Sequence, residues 1–219
     1  MNSEVENALK SIKNSGLCLI KADIGFGLVG HSEESMRKMY ELKGRDLSNP
    51  AIIVGNLDVV DEISLIDSTT RQWIKDISSR TTLAVILPVN PESKMLKRLP
   101  KFVYKQATLN ETVAIFLNTG KFLERLVNLA YQEEILLTGS SGNLSGRGNQ
   151  YQIDDVGEAI TEKVDYTYNE GACAYENSHR SATTIVNLAL KNIRRVGVNH
   201  NLIKSEFIKY KEVQENASV

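Results

Sequence analysis

The chain has 219 residues, of which 42% are hydrophobic and 24% are charged, and its formal net charge at pH 7 is −1. This length and composition predict one sizeable globular domain with a tail, and the near-neutral charge argues against a general polyanion binder. No apolar run approaches the roughly 18 residues of a membrane-spanning helix, and the N-terminus is polar, so we expect no membrane association and a cytoplasmic location. The cysteines Cys18 and Cys173 lack metal-ligand spacing, and we expect buried thiols in a reducing compartment and no metal-binding residues.

The first half of the chain alternates between helical and strand patterns. Ser3 and Glu6 form a capping box for a first helix, and Ser32 caps a second one. Between them, an apolar strand at residues 17–20 runs into a glycine-rich turn at residues 21–30, where the backbone can approach a ligand closely. The later elements expected here are strands at 51–54, 83–87 and 112–117, two short helices within 57–77 with Trp73 in the core, and an irregular basic segment at 90–108.

The second half continues the alternation, which predicts an α/β sheet containing parallel pairs. A helix over residues 121–131 precedes a strand over 133–137, and Asp154 caps a short helix. The last expected elements are strands at 164–168, 183–188 and 193–196 and an amphipathic helix with a polar tail at 199–219. We place a domain at residues 1–197 and the C-terminal helix and tail at 198–219.

A run of small polar residues, TGSSGNLSGRGNQ at 138–150, follows the predicted strand at 133–137. A strand that ends in such a run can present backbone amides and hydroxyls to an anion at the edge of a sheet. The alternative interpretation is a mobile surface loop, which is what glycine and serine clusters usually form.

Two cations, Lys43 and Arg45, flank Gly44 at the end of the second predicted helix. Because Gly44 lets the chain extend, both side chains can face one side and clamp a phosphate or carboxylate. The alternative is a pair of solvated charges that favour the helix dipole.

These segments resemble, in one order, the motifs of the YrdC-type family of threonylcarbamoyl-AMP synthases. That family shows a P-T-D-T-V-Y-G-L turn, a K-G-R-x-x-x-N-P-L segment, a T-V-A-V-R strand, an S-A-N-x-S-G loop, an S-T-V-V-D strand and a final R-P-G. The corresponding segments here are ADIGFGL at 22–28, KGRDLSNPAII at 43–53, TVAIFL at 112–117, SSGNLSG at 140–146, TTIVNL at 183–188 and RRVG at 194–197.

The resemblance implies a twisted, open, mixed α/β sheet with flanking helices and a large concave cavity. It also implies an enzyme that joins L-threonine, bicarbonate and ATP, with Mg²⁺, into a threonylcarbamoyl adenylate for tRNA modification and releases pyrophosphate. Related domains in carbamoyltransferases handle carbamoyl adenylate. The implied protein partners belong to tRNA modification or to a biosynthetic pathway.

The nucleotide side of the family's site is kept in this chain. By the resemblance, Lys43 and Arg45 are the candidate catalytic pair. The ATP-binding residues that the resemblance implies are Lys43, Arg45, Asn49, Thr112, Ser141, Asn143, Ser145 and Arg195.

The amino-acid side is altered. Ala22 and Ile24 stand where the family's first turn has threonines, and Phe116 stands where the family's strand has its Arg. Val54 occupies a position that is His in the longer members, so only Thr183 and Thr184 still offer hydroxyls to this pocket. Arg80, near the third expected strand, is a candidate replacement for the lost cation.

These changes favour the hypothesis of an acceptor other than L-threonine, either another amine or a less polar acid, while threonylcarbamoyl-AMP synthesis itself stays the default expectation from the resemblance. Two alternatives stay open. One is a carbamoyl-adenylate-dependent carbamoyltransferase of a specialised pathway, and the other is a nucleotide- or RNA-binding protein without catalysis.

Overall fold

The strands form one ten-stranded mixed sheet in the computed structural model, which describes residues 2–216. The order is β10-β9-β4-β6-β3-β7-β2-β1-β8, with β5 beside β6. The strands are β1 Cys18–Ala22, β2 Gly25–Gly30, β3 Ile52–Val54, β4 Leu83–Pro88, β5 Thr108–Leu109, β6 Thr112–Leu117, β7 Leu137–Ser141, β8 Tyr166–Tyr168, β9 Ile185–Asn187 and β10 Asn192–Arg195. Parallel pairing joins β1 to β8, β3 to β6 and β4 to β9, so the predicted mixed α/β sheet is confirmed.

Ten helices flank the sheet within the same described range. They are α1 Asn2–Lys13, α2 Glu33–Lys43, α3 Leu57–Ile63, α4 Ser68–Ser78, α5 Lys94–Lys97, α6 Lys101–Ala107, α7 Lys121–Gln132, α8 Ile153–Val156, α9 Glu158–Thr161 and α10 His200–Asn216. The predicted cap at Ser32 is confirmed, because its side chain accepts from the backbone N–H of Ser35. Gly44 ends α2 in the left-handed conformation, with φ of 57°. None of the described helices is both long and apolar enough to cross a membrane.

Several predicted boundaries were wrong. The helix α1 begins at Asn2, so Ser3 lies inside it and does not cap it. The segment 90–108 is not irregular, since it contains α5 and α6. The short helix predicted after Asp154 is two one-turn helices, and Asp154 lies within the first of them. The end of the predicted C-terminal tail, 217–219, lies outside the described residues.

Two predictions that need correction concern segments that line the cavity described below. The turn predicted over 21–30 is confined to residues 23 and 24, because the rest of this segment belongs to the antiparallel hairpin of β1 and β2. The strand predicted at 133–137 begins only at Leu137, since α7 continues to Gln132 and the two glutamates after it form a turn. The first four residues of the run at 138–150 therefore belong to the strand β7 and not to a loop.

Residues 18–20 of β1 are buried on both faces of the sheet, which explains the apolar run at 17–20. Leu17 and Leu19 pack in one cluster with the methionines of α2, whereas Cys18 and Ile20 pack in the main core. The main core also contains α1 and α7, including the predicted α1 residues Val5, Ala8, Leu9 and Ile12.

The tip of the β1–β2 hairpin curls back across the sheet and meets the chain that leaves β6. The backbone N–H of Asp23 donates to the carbonyl of Thr119 over 3.0 Å. Gly120 permits this approach, because a Cβ there would lie 2.7 Å from Asp23 Oδ1 and its φ is +112°. The curl brings residues of β1 and β6, which are four positions apart in the order of the sheet, to one concave face.

The C-terminal helix α10 docks on α4 through an aromatic cluster. The Trp73 ring lies 5.8 Å from that of Phe207 and 5.4 Å from that of Tyr210, and Trp73 Nε1 donates to the carbonyl of Glu206. Trp73 is buried, as predicted. The helix therefore extends the core of the sheet domain.

Truncation of this cluster tests whether α10 stabilises the whole chain. Phe207→Ala removes a nearly fully buried ring, and we expect the free energy of unfolding to fall by about 3–5 kcal/mol in urea denaturation. Ile208→Ala, on the exposed side of the same helix, is the matched control and should change it by less than about 0.5 kcal/mol. Equal effects from both variants would contradict the packing described.

Candidate functional site

The concave face holds a cavity of about 160 Å³ that opens to solvent. Its floor is a row of residues paired in register across neighbouring strands. Val54 on β3 pairs with Phe116 on β6, Phe116 pairs with Ala84 on β4, Ala84 pairs with Ile185 on β9, and Ile185 pairs with Arg195 on β10. Directly paired residues share a face of the sheet, so the row is apolar and ends in one guanidinium.

The hairpin tip and two loops form the walls. Ala22 and Ile24 line the cavity from the tip. Asn149 lines it too, and its Nδ2 donates to the carbonyl of Ile24 over 2.7 Å. Opposite, Thr183 contributes a buried hydroxyl that lies 3.5 Å from that of Thr82. The curl of the hairpin thus gathers five of the six predicted pocket residues, namely Ala22, Ile24, Val54, Phe116 and Thr183.

Arg45 and Arg195 stand at the mouth. Arg45 donates through Nε to the carbonyl of Asn49 over 3.3 Å and through Nη2 to that of Pro50 over 2.8 Å. Arg195 donates through Nε and Nη2 to the carbonyl of Thr183, over 3.0 and 2.9 Å. Residue Arg195 is exposed overall, yet its guanidinium is sheltered enough that desolvation lowers its pKa, and the charge of Arg45 adds to this lowering. The two cations are therefore close enough to repel each other.

Lys43 lies behind the mouth, almost fully buried, and does not line the cavity. Its Nζ donates to the carbonyl of Asn143 over 2.7 Å and to the carbonyl of Ser141, with the Ser141 hydroxyl at 3.3 Å. Burial, with a smaller contribution from Arg45, lowers the pKa of Lys43 to about 7. In this structure the amine fastens the start of the serine–glycine loop to α2.

The loop residues divide between the cavity and its support. Ser141, at the end of β7, lines the cavity together with Arg45. Asn143 is buried, donates to the carbonyl of Leu144, and leaves its Oδ1 without a partner among the described residues. Ser145 is exposed and donates its backbone N–H to the carbonyl of Lys43. The predicted cluster of Lys43, Ser141, Asn143 and Ser145 is thus assembled, and Ser141 is its cavity-lining member.

The other predicted residues lie outside the cavity lining. Asn49 is exposed and uses its carbonyl to accept from Tyr40 and Arg45. The hydroxyl of Thr112 donates to the carbonyl of Leu109, although Thr112 shares its face of β6 with Phe116. The hydroxyl of Thr184 donates to the carbonyl of Val198 and accepts from the N–H of Gly197, so it serves the packing of the last strand. Arg80 pairs with Glu206 on α10 and does not replace the lost cation.

Some cavity residues were not predicted. Ala84 and Ile185 lie in strands whose apolar sequences indicate only a core position, and Asn149 lies at the end of the polar run. One signal was available on β6, where Thr112, Ala114 and Phe116 alternate with three buried residues. That alternation marks one half-open face.

The residues of the site do not form a magnesium-binding set of their own. Among residues 2–216, no group of three or more His, Cys, Asp or Glu side chains is placed to hold a metal ion, and the cavity lining contains no carboxylate. Magnesium is held by oxygen ligands and readily keeps water and phosphate oxygens. The ion that the resemblance implies would therefore enter as part of a magnesium–nucleotide substrate.

The pH dependence of stability tests the buried amine of Lys43. Between pH 7 and its ordinary pKa of 10.5, the unfolded chain holds a proton here that the folded chain lacks, so the free energy of unfolding rises with pH. We expect the stability advantage of the wild type over Lys43→Met in urea denaturation to be larger at about pH 9 than at about pH 7. The exposed control Lys101→Met should show no such trend, and an advantage equal at both pH values would contradict a buried neutral amine.

Comparisons with known proteins agree with the fold and the motifs. A curated protein of Methanocaldococcus jannaschii, provisionally named threonylcarbamoyl-AMP synthase, is 23% identical over 169 residues, covering 76% of this chain and 73% of that protein. A hypothetical protein of Streptococcus mutans has the same fold, with a TM-score of 0.78 at 13% identity over 94% of this chain and 91% of that one. The P. abyssi Sua5 structure in complex with L-threonine matches with a TM-score of 0.66 at 18% identity, covering 86% of this chain and 52% of Sua5.

The family model for Sua5, YciO and YrdC, described as "Telomere recombination", matches residues 10–197. This range contains the hairpin tip, both arginines of the mouth and the whole apolar row. The chain therefore belongs to the Sua5/YciO/YrdC family.

Proposed function

We propose that this protein is an ATP-dependent enzyme of the threonylcarbamoyl-AMP synthase type. It forms a carbamoyl-type adenylate from ATP, bicarbonate and an amine, and its acceptor is not L-threonine. The proposal draws on family membership, on the provisional name of the Methanocaldococcus jannaschii relative, and on the charge distribution of the cavity.

One observation carries the proposal, namely two guanidiniums at the mouth of the cavity with no carboxylate to neutralise them. Neither Arg45 nor Arg195 forms a salt bridge within the described range. Both donate hydrogen bonds to backbone carbonyls, and Arg45 also lies over the Tyr40 ring, 5.8 Å from its centroid. Two fixed like charges that repel each other favour an anion between them. Guanidiniums bind phosphate oxygens through paired N–H groups, so a triphosphate is a suitable ligand.

The chemistry requires mainly positioning and charge stabilisation. An amine and bicarbonate form a carbamate and water, and a carbamate oxygen then bonds to the α-phosphorus while the bond to the β-phosphate oxygen breaks and pyrophosphate leaves. Arg45 and Arg195 would stabilise the negative charge on the phosphates, and Ser141 would donate a hydrogen bond from the end of β7. The proposed role of Lys43 is to hold Ser141 in place.

The side chains at the opposite end of the cavity determine which acceptor can bind. Threonine carries a carboxylate, and a buried carboxylate needs a cation or several hydrogen-bond donors. Ala22, Val54 and Phe116 offer none of these in the apolar part of the cavity. The complex of P. abyssi Sua5 contains L-threonine, and we propose that this chain differs from that protein in its acceptor.

The nucleotide site is tested by removing each arginine. We expect Arg45→Ala and Arg195→Ala each to weaken magnesium–ATP binding by about 10- to 100-fold in calorimetry, because each loses charge-assisted hydrogen bonds to phosphate. Arg98→Ala, which removes an exposed cation paired with Glu134, is the control and should leave the affinity unchanged. Wild-type affinity in both cavity variants would place the triphosphate elsewhere.

Turnover is tested separately by pyrophosphate release with ATP, bicarbonate and a panel of amines and amino acids. We expect release that depends on both bicarbonate and an amine. Tight ATP binding without any release would instead favour a nucleotide-binding protein without catalysis.

A further inference from the structure

The apolar row makes one end of the cavity apolar, whereas the other end carries a cation. Val54, Phe116, Ala84 and Ile185 come from four adjacent strands, and the first cation of the row, Arg195, is one strand beyond Ile185. At roughly 4.8 Å per strand, the backbone of Arg195 is roughly 14 Å from that of Phe116. The far end of the cavity therefore has no cation on its floor.

The second cation does not fill that gap. Arg45 is held by the carbonyls of Asn49 and Pro50, which precede β3, whereas Val54 is the last residue of β3. The hairpin tip above the row contributes only the apolar side chains of Ala22 and Ile24 to the cavity lining. The apolar end is thus lined mainly by aliphatic and aromatic groups, with the amide of Asn149 beside Ile24 as its polar member.

An apolar enclosure acts oppositely on the two charged groups of an amino acid. It disfavours a carboxylate, which stays ionised and loses its hydration without a partner. It also lowers the pKa of an amine, which becomes the neutral nucleophile that attack on carbon requires. The cavity thereby favours an amine that carries no carboxylate.

We propose that the acceptor is a small primary amine with a branched aliphatic body and no carboxylate, an inference that rests on the proposed function. The body lies over Val54 and Phe116, and the nitrogen points towards the arginines. The cavity volume of about 160 Å³ is close to that of the roughly 150 Å³ engineered apolar cavity that binds benzene, so it suits a body of a few carbon atoms. The Thr183 hydroxyl and the Asn149 amide oxygen are hydrogen-bond acceptors in the lining that suit an amine N–H.

The reaction balances with this acceptor. The neutral amine R–NH₂ and HCO₃⁻ give R–NH–COO⁻ and water, as the C–N bond forms and a C–O bond breaks. A carbamate oxygen then forms the bond to the α-phosphorus of ATP, and pyrophosphate leaves with the electrons of the broken P–O bond. No oxidant or reductant is required.

Matched pairs of compounds test the proposal, since each amine is the corresponding amino acid without its carboxylate. The pairs are isoamylamine with L-leucine and 1-amino-2-propanol with L-threonine. Binding is measured by saturation-transfer NMR on the full chain without nucleotide, and turnover by pyrophosphate release with ATP and bicarbonate. We expect each amine to exceed its amino acid by at least about tenfold, with isoamylamine the best of the four.

A variant reverses the expected order. Phe116→Arg places a cation in the middle of the apolar row, and we expect it to shift preference towards L-leucine over isoamylamine by at least about tenfold. Phe116→Leu keeps the site apolar and should retain the wild-type order. Near-ultraviolet circular dichroism establishes that both variants are folded.

The outcomes separate the two proposals. Preference of the wild type for either amino acid, or no binding of either amine, overturns the acceptor class even if ATP binds. Amine binding without any ATP binding supports the acceptor pocket and overturns the proposed adenylate-forming function.

Discussion

The site depends on one backbone contact, between the N–H of Asp23 at the hairpin tip and the carbonyl of Thr119 after β6. In the order of the sheet, three strands separate β1 from β6, so a flat sheet would leave these segments far apart. The contact requires the sheet to curl, and the curl requires close approach at Gly120. Once the tip is in place, Ala22 and Ile24 cover the row of Val54 and Phe116. An otherwise open face of the sheet becomes a cavity that has both charged and apolar surface.

The two ends of this cavity are held in different ways. At the mouth, Arg45 and Arg195 donate hydrogen bonds to backbone carbonyls. These bonds orient the guanidiniums without neutralising their positive charge, which a carboxylate partner would do. Behind the mouth, the amine of Lys43 uses its donors on the carbonyls of Ser141 and Asn143. That burial fixes the loop relative to α2 but removes Lys43 from direct contact with the cavity. The segment around Gly44 therefore contains one cation that lines the cavity, Arg45, and one, Lys43, that supports the cavity-lining Ser141.

Sequence periodicity predicted most elements, because amphipathic helices such as α1 and α7 bury a regular stripe of side chains. It misplaced β7, because the apolar residues before Leu137 resemble a strand more than Thr138, Gly139 and Ser140 do. The small residues are required by the neighbours of the strand, since a Cβ at Gly139 would lie 3.0 Å from Val54 Cγ2 and 3.1 Å from the carbonyl of Leu28. Such a requirement comes from strands β2 and β3, which are distant in sequence. The motif order identified the mouth residues, but it could not separate Thr183 from Thr184 or reveal Asn149, whose positions depend on how two loops close over the tip.

The register of the sheet also explains why the altered pocket positions belong together. Val54 and Phe116 are direct cross-strand neighbours, and Phe116 is in turn the neighbour of Ala84. Cross-strand neighbours on one face contact each other, so a polar side chain at one of these positions would lose hydration against the apolar groups at the others. An apolar residue at position 116 makes an apolar residue at position 54 favourable, and the reverse also holds. The replacements therefore act as one physical change, which converts the far end of the cavity into a continuous apolar surface while the arginines at the mouth keep their charge.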